Sequence, residues 1–139
     1  MTVPAERATF VRGCLVAGAL LMLLAVVLGA FGAHALQAQL TPRQLESYRT
    51  GVLYHQLHAL GLVAIGLLAA VTTRSTWLRA AAGAMGLGIV LFSGSIYAMT
   101  FGAPRALGMI APLGGLSFMV GWACVAVHAW RKCLVSSDQ

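Results

Sequence analysis

The sequence predicts an all-α integral membrane protein, a four-helix bundle of up-down antiparallel helices with both termini on one side. Three observations predict it. Hydrophobic residues make up 60% of the 139 and charged residues only 9%, where a soluble domain carries about a quarter. Such a chain cannot clothe a water-facing surface in charge. The charges also mark boundaries between four apolar runs, Gly13 to Ala33, Val52 to Val71, Ala80 to Pro104 and Ala106 to Trp130. At a rise of about 1.5 Å per residue each run can cross a hydrocarbon layer of ~30 Å. Only helices satisfy their own backbone groups there. Finally, the connections after the second and third runs are short, which makes consecutive helices antiparallel neighbours. The length suits one domain. A soluble enzyme, a nucleic-acid binder and a disordered tail all fit this composition poorly.

The expected crossings are residues 11–33, 52–72, 79–101 and 106–129. The first is too long for the apolar core of a cleaved secretory signal, which runs to roughly 7–15 residues, although Ala33-His34-Ala35 mimics a cleavage site. Before the second, Thr41-Pro42-Arg43-Gln44 reads as a helix start. Thr41 caps, Pro42 occupies the first helical position and Gln44 stands three after the cap. Leu45, Tyr48 and Val52 follow at helical spacing. A short interfacial helix over 42–50 is therefore expected to run into the second crossing near Gly51. Tight loops join the remaining crossings, at 72–76 and 102–105. Trp77 and Trp130 sit where interfacial aromatic anchors belong.

Net charge is +6, spread as ones and twos, a spacing that suits membrane topology better than a phosphate-binding face. Arg7, Arg12, Arg74, Arg79, Arg131 and Lys132 fall on one side, and Arg43, Arg49 and Arg105 on the other. The positive-inside rule then places both termini in the cytoplasm. Cys14, Cys124 and Cys133 contain no CxxC pair, so neither a disulfide framework nor a thiolate zinc site is indicated. Cys14 and Cys124 read as small apolar fillers.

Polar residues inside an apolar chain are informative, because lipid penalises unpaired polar groups. They form four clusters, one per helix. The first helix ends Gly29-Ala30-Phe31-Gly32-Ala33-His34, and the second begins Tyr54-His55-Gln56-Leu57-His58. The third carries Ser93-Gly94-Ser95-Ile96-Tyr97 past its midpoint, and the fourth Pro112-Leu113-Gly114-Gly115-Leu116-Ser117 before its own. Antiparallel alternation brings all four to one depth, the outer half of the membrane. The candidate polar cluster is thus His34, Tyr54, His55, His58, Ser93, Ser95, Tyr97 and Ser117. Stripes of small residues four apart (Ala25, Gly29 and Ala33; Ala80, Ala84 and Gly88; Ser117 and Gly121) let helix backbones approach closely. Gly94, Gly114 and Gly115 join them as candidate packing positions.

These blocks carry a resemblance. Leu28-Gly29-Ala30-Phe31-Gly32-Ala33-His34, Thr50-Gly51 with Tyr54 and His58, Val90 to Tyr97, and Pro112 with Gly114-Gly115, Ser117-Phe118 and Gly121-Trp122 stand in order along residues 10–130. Together they resemble the signature blocks of the YgdD/YwdK-like family (domain of unknown function 423, transmembrane protein 256-like). One position departs, since the family usually has Gln after Tyr54 and His55 stands here. The resemblance implies a small four-helix plasma-membrane protein and supplies no established activity.

Several functions compete for the polar cluster. His55 and His58 are three apart and share a helical face, with His34 at a similar depth. Three imidazoles can bind zinc or copper, and two on different helices can hold a haem. The competing reading is a structural network, in which His34 and His58 bond to Ser93, Ser95, Tyr97 or backbone carbonyls. No acid inside the crossings orients the histidines, as metal histidines usually require. A serine nucleophile beside a histidine base needs an orienting group and an oxyanion hole, and neither is visible. Small-solute or ion passage would need an oligomer to supply a lumen. The expectation is a non-enzymatic structural or accessory protein of the bacterial cytoplasmic membrane. It would need no cofactor, and its partners would be the bilayer and a homo-oligomer or larger membrane complex, with no nucleic acid.

Overall fold

The structure is a computed structural model describing residues 5–73 and 75–136, with side chains described to residue 132. Arg74 and the Cys133 side chain, weighed above, lie outside the described residues. Helix α1 spans Ala5–His34 and α2 spans Pro42–Val71. The third crossing is composite: α3 (Thr76–Gly88), a π-helical turn (Ile89–Ser93) and α4 (Gly94–Thr100). A short 3₁₀ turn, Arg105–Met109, leads into α5 (Ala111–Ser136). Among the described residues, four helical stretches are long and apolar enough to cross a membrane.

The expected interfacial segment and the second crossing form one unbroken helix of 30 residues. Its start is the box read from the sequence. The Thr41 hydroxyl accepts from the Gln44 amide, and the Gln44 side chain accepts from the Thr41 amide at 3.0 Å. Tyr48 and Val52 turn inward from this first part and are buried. They continue the face that carries His55, Ala59, Leu62 and Ile65 deeper in the same helix.

The helices pack as two antiparallel hairpins, α1 with α2 and α3 with α5, joined where α2 meets the composite third crossing. Burial follows from this. Helix α1 buries four residues, Cys14, Gly18, Ala25 and Gly32, whereas α2 buries eleven. The α1 set is spaced by four, seven and seven, the repeat of a left-handed helix-helix seam. Two glycines make that seam possible. A Cβ at Gly18 would lie 2.9 Å from the Ala59 carbonyl oxygen, and one at Gly32 would lie 2.5 Å from the Tyr48 ring. The rest of α1 shows Val16, Leu20, Leu23, Val26 and Val27 to its surroundings. In lipid such a face needs no covering, because hydrocarbon is as apolar as leucine.

Helix α2 is the centre of the molecule. Ala59, Leu62, Ile65 and Ala69 share one core with Leu78, Ala81, Met85 and Ile89 of the third crossing and Phe118 and Cys124 of α5. The end that carries the start of α1 is tied by polar contacts. Arg7 donates from Nε to the Ala69 carbonyl at 2.9 Å and from a terminal nitrogen to the Ala70 carbonyl, satisfying carbonyls that the end of α2 leaves open. Lys132 donates to the Thr73 hydroxyl, and His128 Nδ1 lies 2.9 Å from Ser75 Oγ, the N-cap of α3.

Candidate functional site

The inner face of α2 supplies the first layer of the site. Tyr48, Gly51, Val52, His55, His58 and Ala59 are all buried, at the three- and four-residue spacing of one helical face. Tyr48 donates its hydroxyl to the Leu28 carbonyl of α1 at 2.8 Å, and its ring lies 5.5 Å from that of Tyr97. The Tyr97 hydroxyl in turn lies 3.3 Å from His55 Nδ1. Ser93 donates to the Gly51 carbonyl at 2.8 Å. The π turn explains how one crossing serves two neighbours. Its extra residue shifts the helical register. Gly88 and Phe92 then face Phe118 and Gly114 of α5, whereas Ser93 and Ile96 face Gly51 of α2.

A second layer stacks rings between α2, the π turn and α5. The His58 ring lies flat on Phe118, with centroids 3.4 Å apart and 11° between planes. Tyr54 lies 4.7 Å from Phe92 and 6.1 Å from Phe118, and Phe92 meets Phe118 edge-on at 5.9 Å. Gly114 permits this closeness, since a Cβ there would lie 2.4 Å from the Phe92 backbone nitrogen. Ser117 donates to the Ala84 carbonyl across the α3–α5 seam at 2.8 Å, and Ser95 donates to Phe92 on its own crossing at 2.9 Å. His58 Nδ1 lies 2.7 Å from the Tyr54 carbonyl. A carbonyl can only accept, so Nδ1 carries the proton, and Nε2 of the neutral ring is an acceptor.

Of the eight expected polar residues the structure pairs His55 with Tyr97 and Tyr54 with His58, and ties Ser93, Ser95 and Ser117 to separate backbone carbonyls. His34 is exposed and takes no part in these bonds, which corrects the expected link from His34 to the Ser93–Tyr97 segment. The reason is helical phase. Gly32 faces α2, and two residues further on the helix has turned about 200° away. It is His55 that reaches Tyr97. The proposed triplet of His34, His55 and His58 does not converge, and no three His, Cys, Asp or Glu side chains do so among the described residues.

The packing glycines divide in the same way. Gly29, Gly88, Gly114 and Gly121 meet a neighbouring helix within 3.4 Å of an added Cβ, and Ala84 lends its carbonyl to Ser117. Ala33 is exposed, Gly115 faces open space, and the nearest atom to Gly94 is the Ile89 carbonyl of its own crossing, at 3.9 Å. These three do not serve as close-approach points. Gly18, Gly32 and Tyr48 were not among the candidates. The seven-residue recurrence of small side chains through Gly18, Ala25 and Gly32 was the available signal. His128, buried against Ser75, was not weighed either. The hydroxyls of Ser93, Ser95 and Ser117 each donate to a carbonyl, not to an imidazole.

Comparison with known proteins identifies the family. Residues 28–115 match the family described as "Protein of unknown function (DUF423)". The UPF0382 membrane protein YwdK of Bacillus subtilis (strain 168) is 43% identical over 115 residues, covering 83% of this chain and 94% of that protein. A UPF0382 membrane protein of Staphylococcus haemolyticus is 36% identical over 121 residues, covering 84% and 94%. The UPF0382 inner membrane protein YgdD of Escherichia coli (strain K12) is 38% identical over 107 residues, covering 76% and 80%. No solved structure matches the chain. Four apolar helices, the matched blocks and these relatives lead to one conclusion: the chain belongs to the DUF423 family and is a bacterial-type membrane protein of four crossings.

Proposed function

We propose that the protein is a non-enzymatic structural or accessory component of the cytoplasmic membrane, with both termini in the cytoplasm. The observation that carries this reading is how the buried hydroxyls are used. Tyr48, Ser93 and Ser117 each donate to a backbone carbonyl of a neighbouring helix. Hydroxyls spent in this way hold helices together where no hydrophobic force between them exists. A rigid bundle with a broad apolar outer face on α1 is suited to packing beside a larger membrane complex or a second copy. Among the described residues, Arg7, Arg12, Arg79, Arg131 and Lys132 stand at the end formed by the start of α1, the start of α3 and the end of α5, against Arg43, Arg49 and Arg105 at the other end, and this bias supports the orientation.

Two experiments test this. Cross-linking in native membranes, followed by purification, should recover the protein in a complex of fixed composition; recovery only as a monomer rejects the accessory role. Phosphatase fused after Gln39 should be active and after Ser75 inactive; the reverse pattern rejects the orientation.

A further inference from the structure

Three buried histidines leave a ring nitrogen without a partner, and they differ in access. Nε2 of His55 and of His128 is sealed from the surroundings. Nε2 of His58 makes no hydrogen bond either, yet it is not among the sealed atoms. It therefore keeps some exposure, and His58 lines a groove of about 370 Å³ between α2 and α5 together with Leu57, Leu60, Gly61, Ala64 and Trp122. His58 and Phe118 lie at one level, near the middle of both crossings. Hydrocarbon offers no hydrogen-bond donor there, and an unpaired acceptor in such a medium is costly.

The geometry points to a binding site for a lipid-soluble hydroquinone, whose hydroxyl donates to His58 Nε2 while its ring lies against Trp122. Each part follows from the groove. The Tyr54 carbonyl holds the proton on Nδ1, so the open nitrogen accepts and the ligand must donate. This is also how proteins prepare an imidazole to engage a ligand through its other nitrogen. The remaining lining is apolar and opens sideways to lipid, so the ligand enters from the bilayer. Trp122 is 47% exposed, which leaves an indole face for a flat ring to stack on. A quinone has carbonyls where the hydroquinone has hydroxyls, and two acceptors facing each other make no bond. The site therefore favours the reduced form.

The test uses the full chain in neutral phosphatidylcholine nanodiscs, with Trp77→Phe and Trp130→Phe leaving Trp122 as the sole indole. Decyl-benzohydroquinone should quench Trp122 saturably and bind about tenfold more tightly than its quinone, the worth of one hydrogen bond in apolar surroundings. His58→Leu should abolish that preference. Ala64→Leu fills the groove from an exposed position and should abolish saturable quenching with helix content unchanged, which covers the case in which His58→Leu misfolds. Equal affinity for the two redox forms, competition by decanol as strong as by the hydroquinone, or binding unaffected by Ala64→Leu overturns the proposal.

Discussion

The two seams of the molecule are built differently. Helix α1 meets α2 through small residues and shape: Gly18 against Ala59 and Val63, Gly66 against Cys14, and Gly32 against the Tyr48 ring. Its polar ties are near the ends, at Arg7 and at the Tyr48–Leu28 bond. The seam between α2, the third crossing and α5 uses stacked rings and hydroxyl-to-carbonyl bonds through its depth. Both solve one problem, since lipid supplies no hydrophobic force between helices. The first relies on dispersion at close range, which any bulk destroys. The second adds directional bonds to close approaches of its own at Gly88, Gly114 and Gly121. The contrast divides the molecule into an α1–α2 hairpin held by shape and a polar, ring-stacked seam that joins it to the α3–α5 hairpin.

Substitutions can break or sharpen that contrast. The largest effect is expected at Gly114→Leu, where a side chain would enter the Phe92 backbone. It should cost at least about 3 kcal/mol and abolish the folded, monodisperse peak in detergent. Gly18→Leu should cost about 1–3 kcal/mol with a local result. Amide exchange in α1 should quicken while α3 and α5 stay protected, and uniform loss of protection would remove the distinction between the seams. Ser93→Ala deletes a buried interhelical bond and should lower stability by about 1 kcal/mol, read as a drop in thermal midpoint. Tyr97→Phe keeps the ring contact but removes the hydrogen-bond partner of His55 Nδ1, the one that this ring has among the described residues. It should cost about 0.5–1.5 kcal/mol, and less than about 0.3 kcal/mol would remove that bond from the seam. His34→Ala is expected to shift stability by no more than about 0.5 kcal/mol, because the side chain is exposed and unbonded.

Much of the fold was legible because its signals are one-dimensional. Charge placement marks where helices leave the membrane, and Thr41 with Gln44 marks the start of α2. The clusters on α2, the third crossing and α5 meet because antiparallel alternation fixes depth along the membrane normal. Rotation about each helix axis was harder to read. A soluble helix reveals its inner face by contrast with a polar one, but the run from Gly13 to Ala33 in α1 is apolar on every side. Ala33 and His34 therefore looked as eligible as Gly32, and only packing against Tyr48 distinguishes them. The π turn was also illegible, since Ile89-Val90-Leu91-Phe92-Ser93 suits an ordinary helix equally well.

Composition and charge spacing alone determined that this protein is helical and carries four helices apolar enough to cross a membrane. Those properties depend on the energy of transferring segments into lipid, which adds up residue by residue along the chain. The tertiary structure alone decided which faces turn inward, that His55 and not His34 reaches Tyr97, and that His58 keeps an open nitrogen. Those depend on contacts between side chains far apart in sequence, where one residue of helical phase turns a group from the core to the lipid.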